Sequence, residues 1–518
     1  MIPLDPLRGF YIIDKKISRS IYRGLIVLPA RALEPLAPPE ARCARAWLAL
    51  ALGVLVIAGL FALVVVIGRM PPFDRLVTDP LFFKRGLVVH VNLALVAWFY
   101  SFIAALLFLM PGRRAPGRVA RASVHLAVLG VLMMLMAAAL PGTRPVLSNY
   151  IPMIDHWLFG IGQVAFGAGV LASFVGRRLV SAPRAAGVVV PLPDAARSGL
   201  RTTAAALLLA ALTFSIAWWN LPGGVAPEVR YELLFWGGGH VLQLACSAAM
   251  VSVWLVLLTS LLGRSPVSAP AATALFALLF APWTFAPLLA LEGAWTSSYR
   301  AGVTHLMQWS IFPVVSIFLV LCVAALHRAW RAGRLDAGAF ADPRLSGFAV
   351  SAALTLLGFA LGAAIRGSNT MVPAHYHASI GGVTAAFMST TYVLLPALGF
   401  SMETRRVRRA AAWQPALYGI GQMVFASGFA LAGAYGMTRK SYGAEQAARG
   451  LAESVGLGVM GLGGLIAVAG GLLFLGLVAA VWWRGAGTSA QRASQRAGGT
   501  WRYRWARQTG IESIRSRD

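Results

Sequence analysis

Twelve long apolar runs divide this chain, and the short polar stretches between them carry most of its charge. Each run reaches the length of about 20 residues that an α-helix needs to cross a bilayer. Backbone groups in lipid must be hydrogen-bonded within their own segment, so runs of this kind form helices. The pattern predicts an all-α integral membrane protein with twelve transmembrane helices, at residues 46–68, 86–111, 119–140, 151–176, 200–220, 232–262, 269–292, 301–327, 345–365, 375–399, 413–436 and 455–483.

Charge sets the expected orientation of the bundle. The formal net charge is +27, and arginines concentrate in the N-terminal arm and in the even-numbered loops. The positive-inside rule therefore places both termini in the cytoplasm. We expect a basic cytoplasmic arm at 1–45, a membrane domain at 46–483 and a polar basic cytoplasmic tail at 484–518. The tail would lie on the membrane surface or be disordered.

Composition argues against nucleic acid, the usual partner of a basic chain. Of the 518 residues, 58% are hydrophobic and only 12% are charged. Such a balance is typical of a multi-span membrane protein. The expected surroundings are therefore a lipid bilayer, and nucleic acid is not an expected partner.

Six of the eight histidines fall near the outer ends of five predicted helices. A single histidine near a helix end is typically an interfacial residue or has a polar neighbour. Several at one depth instead indicate a cofactor site, because imidazole binds haem iron and other metals. The six are His90, His156, His240, His305, His375 and His377.

The segment "AHYHAS" carries two histidines two residues apart, His375 and His377. Side chains with this spacing point about 200° apart around a helix axis. One helix face cannot use both imidazoles. The spacing therefore predicts that the two side chains bind different groups on opposite sides of the tenth helix.

The order of these histidines resembles the catalytic subunit I of the haem–copper oxidase superfamily, which includes respiratory oxygen reductases and nitric oxide reductases. The resemblance rests on twelve helices, one histidine on the second and on the sixth, and H-x-H on the tenth. It implies the subunit I fold and two haems. His90 and His377 would be the axial ligands of a low-spin haem, and His375 would bind a high-spin haem. His240 would bind a non-haem metal, copper or iron, opposite the high-spin haem.

The loop after the eleventh helix adds a further match. The family holds its haem propionates with a basic pair in this region, and the corresponding residues are Arg439 and Lys440. Lysine can neutralise a propionate but lacks the guanidinium fork for bidentate contact. A solvated loop is the alternative interpretation.

The metal side of the site departs from the family. The family places two adjacent histidines at the outer end of helix 7, and this sequence has no adjacent histidines. Glu292 lies near that position, where a carboxylate is costly unless it is paired or metal-bound. We expect Glu292 to join His240 as a catalytic metal ligand, with His305 as a weaker candidate. A carboxylate favours iron over copper. Glu292 as an ordinary interfacial residue remains the alternative.

Three consecutive glycines precede His240, at positions 237–239. They indicate close approach of a bulky group to the sixth helix, because glycine has no side chain there. Helix–helix packing is an equally good explanation.

Tyrosine bears on the substrate. Oxygen reductases of the family use a tyrosine bonded to a metal-ligand histidine. Its usual position, four residues after the histidine of helix 6, holds Leu244 here, and helix 7, which supplies the tyrosine in another subgroup, has none. Cleaving the O–O bond takes four electrons, whereas coupling two NO molecules takes two. The resemblance therefore implies a respiratory terminal reductase of O2 or NO, with NO favoured.

The expected setting is the inner membrane of a bacterium. The sequence has no CxxCH motif for a bound haem c, so we expect an electron-donor subunit, a cytochrome c or a quinol as partner. The alternative function is a non-catalytic membrane haem protein, such as a sensor, an electron carrier or a haem-handling factor. A twelve-helix transporter would not explain the H-x-H segment.

Overall fold

The predicted bundle is present in the computed structural model, which describes residues 38–110, 116–174, 192–402, 404–442 and 449–509. Within these residues, twelve helices are long and apolar enough to cross a membrane. The twelve predicted spans are therefore confirmed, with ends that shift by up to eight residues. Most of the basic N-terminal arm, residues 1–37, lies outside the described residues.

The twelve spanning helices follow one another along the chain, and we number them in that order. They are α1 Pro39–Ile67, α2 Pro80–Phe108, α3 Arg118–Ala139, α4 Trp157–Phe174, α5 Asp194–Trp219, α6 Pro227–Leu262, α7 Ala269–Leu291, α8 Ser297–Arg331, α9 Pro343–Ala363, α10 Met371–Ala397, α11 Arg405–Ala434 and α12 Leu451–Arg484. The last helix continues beyond its span as far as Thr509, so part of the predicted polar tail is helical.

Three helices form the interior of the bundle. The most apolar stretches of α6, α2 and α10 are 83%, 78% and 78% buried, whereas the other nine spans are at most 50% buried. α10 packs between α9 and α11 and also contacts α6. These three interior helices are the ones that carry His90, His240, His375 and His377.

The segment between α3 and α4 folds as a small antiparallel hairpin. Strand β1, Arg144–Val146, pairs with strand β2, Met153–Asp155. α4 consequently begins at Trp157, later than the predicted start at 151. The turn of this hairpin packs on α6 and becomes part of the site described below.

Candidate haem and metal site

His90 in α2 and His375 in α10 are each held by a carbonyl group of a neighbouring helix. Nδ1 of His90 lies 2.9 Å from the carbonyl oxygen of Ala58, and Nδ1 of His375 lies 2.6 Å from that of Gly358. A carbonyl oxygen only accepts, so Nδ1 carries the proton in both rings and Nε2 keeps its lone pair. Metal-binding histidines are commonly oriented by such a bond from the other ring nitrogen.

His375 and His377 face different neighbours of α10. The His375 ring packs on α9, where a Cβ added to Gly362 would lie 2.8 Å from Nδ1. The His377 ring faces α11, with its centroid 4.6 Å from that of Phe425 and 6.1 Å from that of Phe429. The two imidazoles therefore point in different directions, as their spacing predicts. Their assignment to two haems stays a prediction.

His90 in α2 and His377 in α10 lie on helices that contact each other. The two helices that carry them meet where Trp98, Phe99 and Phe102 of α2 surround Phe387 of α10. This aromatic cluster fixes α2 against α10, on the turns of both helices that follow the histidines.

The imidazole edges of His90, His375 and His377 are open. All three side chains remain partly accessible although their helices are interior. Within the described residues, Nε2 of His90 and of His375 and both ring nitrogens of His377 have no hydrogen-bond partner. Open, neutral imidazole edges beside accessible space fit axial ligation of haem iron.

Two arginines lie together at the outer end of this region. Arg69 follows α1, is only 4% exposed, and donates from Nη2 to the carbonyl oxygens of Arg439 at 2.8 Å and of Ser441 at 3.2 Å. Its guanidinium stacks on the Tyr442 ring at 4.5 Å and lies 5.4 Å from the centroid of the Phe429 ring, which also neighbours His377. Arg439 has a buried Nε without a hydrogen-bond partner among the described residues. An unpaired buried donor beside a second cation fits a propionate.

Arg69 was not predicted from the sequence. Its only signal is a basic residue directly after an apolar run on the outer side of the predicted bundle. Lys440, which was predicted, is largely exposed. Partial desolvation and the charge of Arg439 lower the pKa of Lys440, and Glu232 opposes this shift. The roles of Arg439 and Lys440 at propionates stay predictions.

His240 in α6 differs from the other three histidines because its side chain is buried and neither ring nitrogen is free. Its side chain is 1% exposed, and both ring nitrogens are hydrogen-bonded. Nδ1 donates to the carbonyl oxygen of Trp236, one turn earlier in α6, at 2.6 Å. Nε2 accepts from the Tyr150 hydroxyl at 2.6 Å. No lone pair of this imidazole is left for a metal.

The three glycines before His240 are each covered by an aromatic ring of the chain itself. Gly237 faces Tyr299, Gly238 faces Phe214, and a Cβ on Gly239 would lie 2.6 Å from Cβ of Tyr150. The Tyr299 hydroxyl also accepts from the backbone N–H of Gly237 at 2.8 Å. The bulky groups that these glycines admit in the described residues are therefore three aromatic side chains.

Tyr150 reaches His240 from the turn of the β1–β2 hairpin. Its backbone adopts a left-handed conformation with φ 66°, which is strained for a bulky residue. The preceding Asn149 anchors the turn, because its N–H donates to Glu232 at 2.8 Å, its amide group donates to the same carboxylate, and its Oδ1 accepts from Arg439 at 2.9 Å. Desolvation and the Glu232 charge raise the pKa of the Tyr150 phenol well above its usual value, while Arg439 opposes them.

Glu292 and His305 are not brought to His240. Glu292 is exposed at the end of α7 and accepts from Ser298 at 2.9 Å. His305 is exposed on α8. All eight histidines lie in the described part of the chain, and there no three His, Cys, Asp or Glu residues are grouped to hold a metal ion.

His156 follows a simpler pattern. It lies directly before α4, and its Nδ1 accepts from the backbone N–H of Leu158 at 3.2 Å. This bond satisfies an amide at the start of the helix. The residue therefore fits the structural role that is usual for a histidine at a helix end.

Comparisons with known proteins identify the family. The family described as "Cytochrome C and Quinol oxidase polypeptide I" matches residues 42–473. An uncharacterized protein of Aquifex aeolicus is 30% identical over 365 residues, which are 68% of this chain and 85% of that protein. An uncharacterized protein of Rickettsia prowazekii is 24% identical, over 83% of this chain and 94% of its own length.

Two further matches are to named proteins. Cytochrome c oxidase subunit 1 of Thermus thermophilus is 27% identical over 72% of each chain. A solved heme-copper terminal oxidase dimer has the same fold, with a TM-score of 0.65, 16% identity, and coverage of 86% of this chain and 84% of that one. The family match spans most of the sequence, and family membership implies haem cofactors and a metal centre. The chain is a member of the cytochrome c and quinol oxidase polypeptide I family, the subunit I family of the haem–copper oxidases.

Proposed function

We propose that this chain is the haem-binding catalytic subunit of a membrane-bound terminal reductase, an oxidoreductase that reduces O2 or NO. The observation that supports it most is the set of open imidazole edges on α2 and α10. His90 and His377 would hold a low-spin haem, and His375 would hold a second, high-spin haem on another side of α10. When bound, the haems supply one-electron redox chemistry and an open iron position for a diatomic gas.

The chain's own residues set the geometry for this chemistry. The carbonyl groups of Ala58 and Gly358 fix the tautomers of His90 and His375, so that Nε2 is neutral and directed for ligation. The buried Arg69 and the partly buried Arg439 would compensate propionate charge at the outer end. Hydrogen bonds that orient the imidazoles and charges placed near the propionates would lower the cost of binding haem.

O2 is the first candidate substrate. The sequence favours NO because neither helical position holds a tyrosine. Tyr150, however, brings a phenol to His240 from a loop. The preference for NO rested on the absence of a tyrosine from the site, and the Tyr150 hydroxyl beside His240 supplies one. NO is the second candidate, and the absence of tyrosine in the helical positions of α6 and α7 supports it.

A non-catalytic haem protein is the rival function. The closed His240 and the exposed Glu292 favour it, because both weaken the metal side of the pocket. Retention of His240 beside three glycines opposes it, since electron transfer alone requires only haem ligands.

The reductase would lie in a bacterial inner membrane, with both termini in the cytoplasm. A cytochrome c, a quinol or a donor subunit would supply its electrons. Its loop charges support this orientation.

Purification of the full chain with its haems tests the proposal. Reduced-minus-oxidised spectra should reveal two haems, and only one of them should bind CO. With an artificial electron donor, the protein should consume O2 faster than NO. Haem without turnover of either gas would support the rival function, and absence of haem would refute both.

A further inference from the structure

Resting on the haem-binding role proposed above, we infer that Tyr150 takes the place of the non-haem metal at His240. Family membership implies a metal on this imidazole, and the residues present do not fit one. The site is instead a hydrogen-bonded phenol–imidazole pair, built from the α3–α4 hairpin and α6.

His240 has no free ring nitrogen. Both ring nitrogens are used, Nδ1 by the Trp236 carbonyl and Nε2 by the Tyr150 hydroxyl, each at 2.6 Å. Neutral imidazole has one donor and one acceptor nitrogen. A metal could bind only after one of these two bonds is broken.

Within the described residues, His240 also has no group of further metal ligands around it. Copper and non-haem iron are held by several histidine or carboxylate ligands in proteins. Across the described residues, which include every histidine, no group of three His, Cys, Asp or Glu residues could hold a metal ion. The two sequence candidates, Glu292 and His305, are exposed on α7 and α8.

Several features specify the position of the Tyr150 phenol. Gly239 removes a side chain that would collide with Tyr150. The left-handed backbone of Tyr150 is held by Asn149, whose N–H and amide group both donate to Glu232. Strained conformations persist where the surroundings fix them, and they cluster at functional sites.

The same network joins this pair to the cations of the haem region. Arg439 donates to Asn149 Oδ1 at 2.9 Å, next to Tyr150 in the chain, and Arg69 donates to the Arg439 carbonyl at 2.8 Å. Tyr150 therefore donates its hydroxyl proton to Nε2 of His240, and the peptide chain and two hydrogen bonds connect it through Asn149 and Arg439 to Arg69. Here Tyr150 is a positioning residue for His240.

Metal analysis of the haem-loaded full chain tests the inference. We expect iron equal to haem and no copper, both as purified and after anaerobic incubation with Cu⁺ or Fe²⁺ followed by removal of unbound metal. Retention of about one copper or one non-haem iron per chain, lost in His240→Ala, would overturn it. Haem content is counted in the same sample, so loss of haem reports on the proposed function separately.

A second measurement tests the bond itself. With ¹⁵N-histidine labelling, the His240 Nε2 resonance, identified by its loss in His240→Ala, should shift in Tyr150→Phe. Tyr299→Phe is the matched control, because Tyr299 also packs on these glycines but bonds the Gly237 N–H instead. An unchanged His240 resonance in Tyr150→Phe would contradict the pair.

Discussion

At the residue scale, the pocket around His240 depends on side chains that α6 lacks. Gly239 leaves room for Tyr150, and the ring centroids of Tyr150 and His240 lie 4.4 Å apart. Interior contacts of this kind tolerate little added volume, because protein cores are closely packed.

Gly239→Ala should therefore destabilise the protein. The new Cβ would meet Tyr150 at 2.6 Å, and overpacking of a core typically costs about 1–3 kcal/mol. Thermal unfolding in detergent should show a lower midpoint. Gly167→Ala in α4, where nothing lies within 4 Å of the added Cβ, should leave the midpoint unchanged or raise it. Equal effects of both variants would disprove the close approach.

Removal of the Arg439 charge should make the low-spin haem harder to reduce. One charge about 10 Å away contributes roughly 1–2 kcal/mol at an effective dielectric constant of about 20, which for one electron is ~40–80 mV. Redox titration of Arg439→Gln should give a more negative midpoint by this amount. Lys440→Gln is the control, and its shift should be smaller because Lys440 is largely exposed. A larger midpoint shift in Lys440→Gln than in Arg439→Gln would instead make Lys440 the main propionate partner.

At the element scale, the sequence predicts the order of the helices but not the position of the loop that packs against them. Apolar runs define α1–α12 because lipid forces each run to satisfy its own backbone. The H-x-H spacing predicts the divergent directions of His375 and His377 because helix geometry is fixed. The contact between Tyr150 and His240 depends on a strained turn and on packing across 90 positions. No local pattern in the sequence encodes such a contact.

The end of α7 illustrates the same limit. Glu292 has the depth and chemistry of a ligand in the sequence, yet its side chain bonds Ser298 and is exposed. Glu292→Ala should therefore leave haem and metal content unchanged and alter stability by less than about 0.5 kcal/mol, as surface substitutions do. Metal analysis and a thermal melt check this. Loss of a metal in this variant would reinstate Glu292 as a ligand.

At the scale of the whole molecule, the three most buried helices carry the four central histidines, and nine less buried helices surround them. This arrangement keeps the four histidines on the helices whose apolar stretches are least exposed. It also places the hairpin, Arg69 and Arg439 at one end of the bundle, where the positive-inside rule predicts the outer surface.

Topology can be tested with the chain in a bacterial membrane. Reporter fusions at both termini should behave as cytoplasmic, because the basic loops alternate with the spans. In Trp157→Cys, the new thiol at this exposed position directly after the hairpin should react with an impermeant thiol reagent from the outside, whereas the native cysteines are buried. Protection of that cysteine in intact cells would invert the bundle.

The central claim is that α10 separates two haems, and paired histidine variants test it most directly. The account predicts that His377→Ala loses the low-spin spectrum and keeps CO binding, whereas His375→Ala keeps the low-spin spectrum and loses CO binding. Spectra in which both variants lose the same haem, or neither loses one, would contradict it.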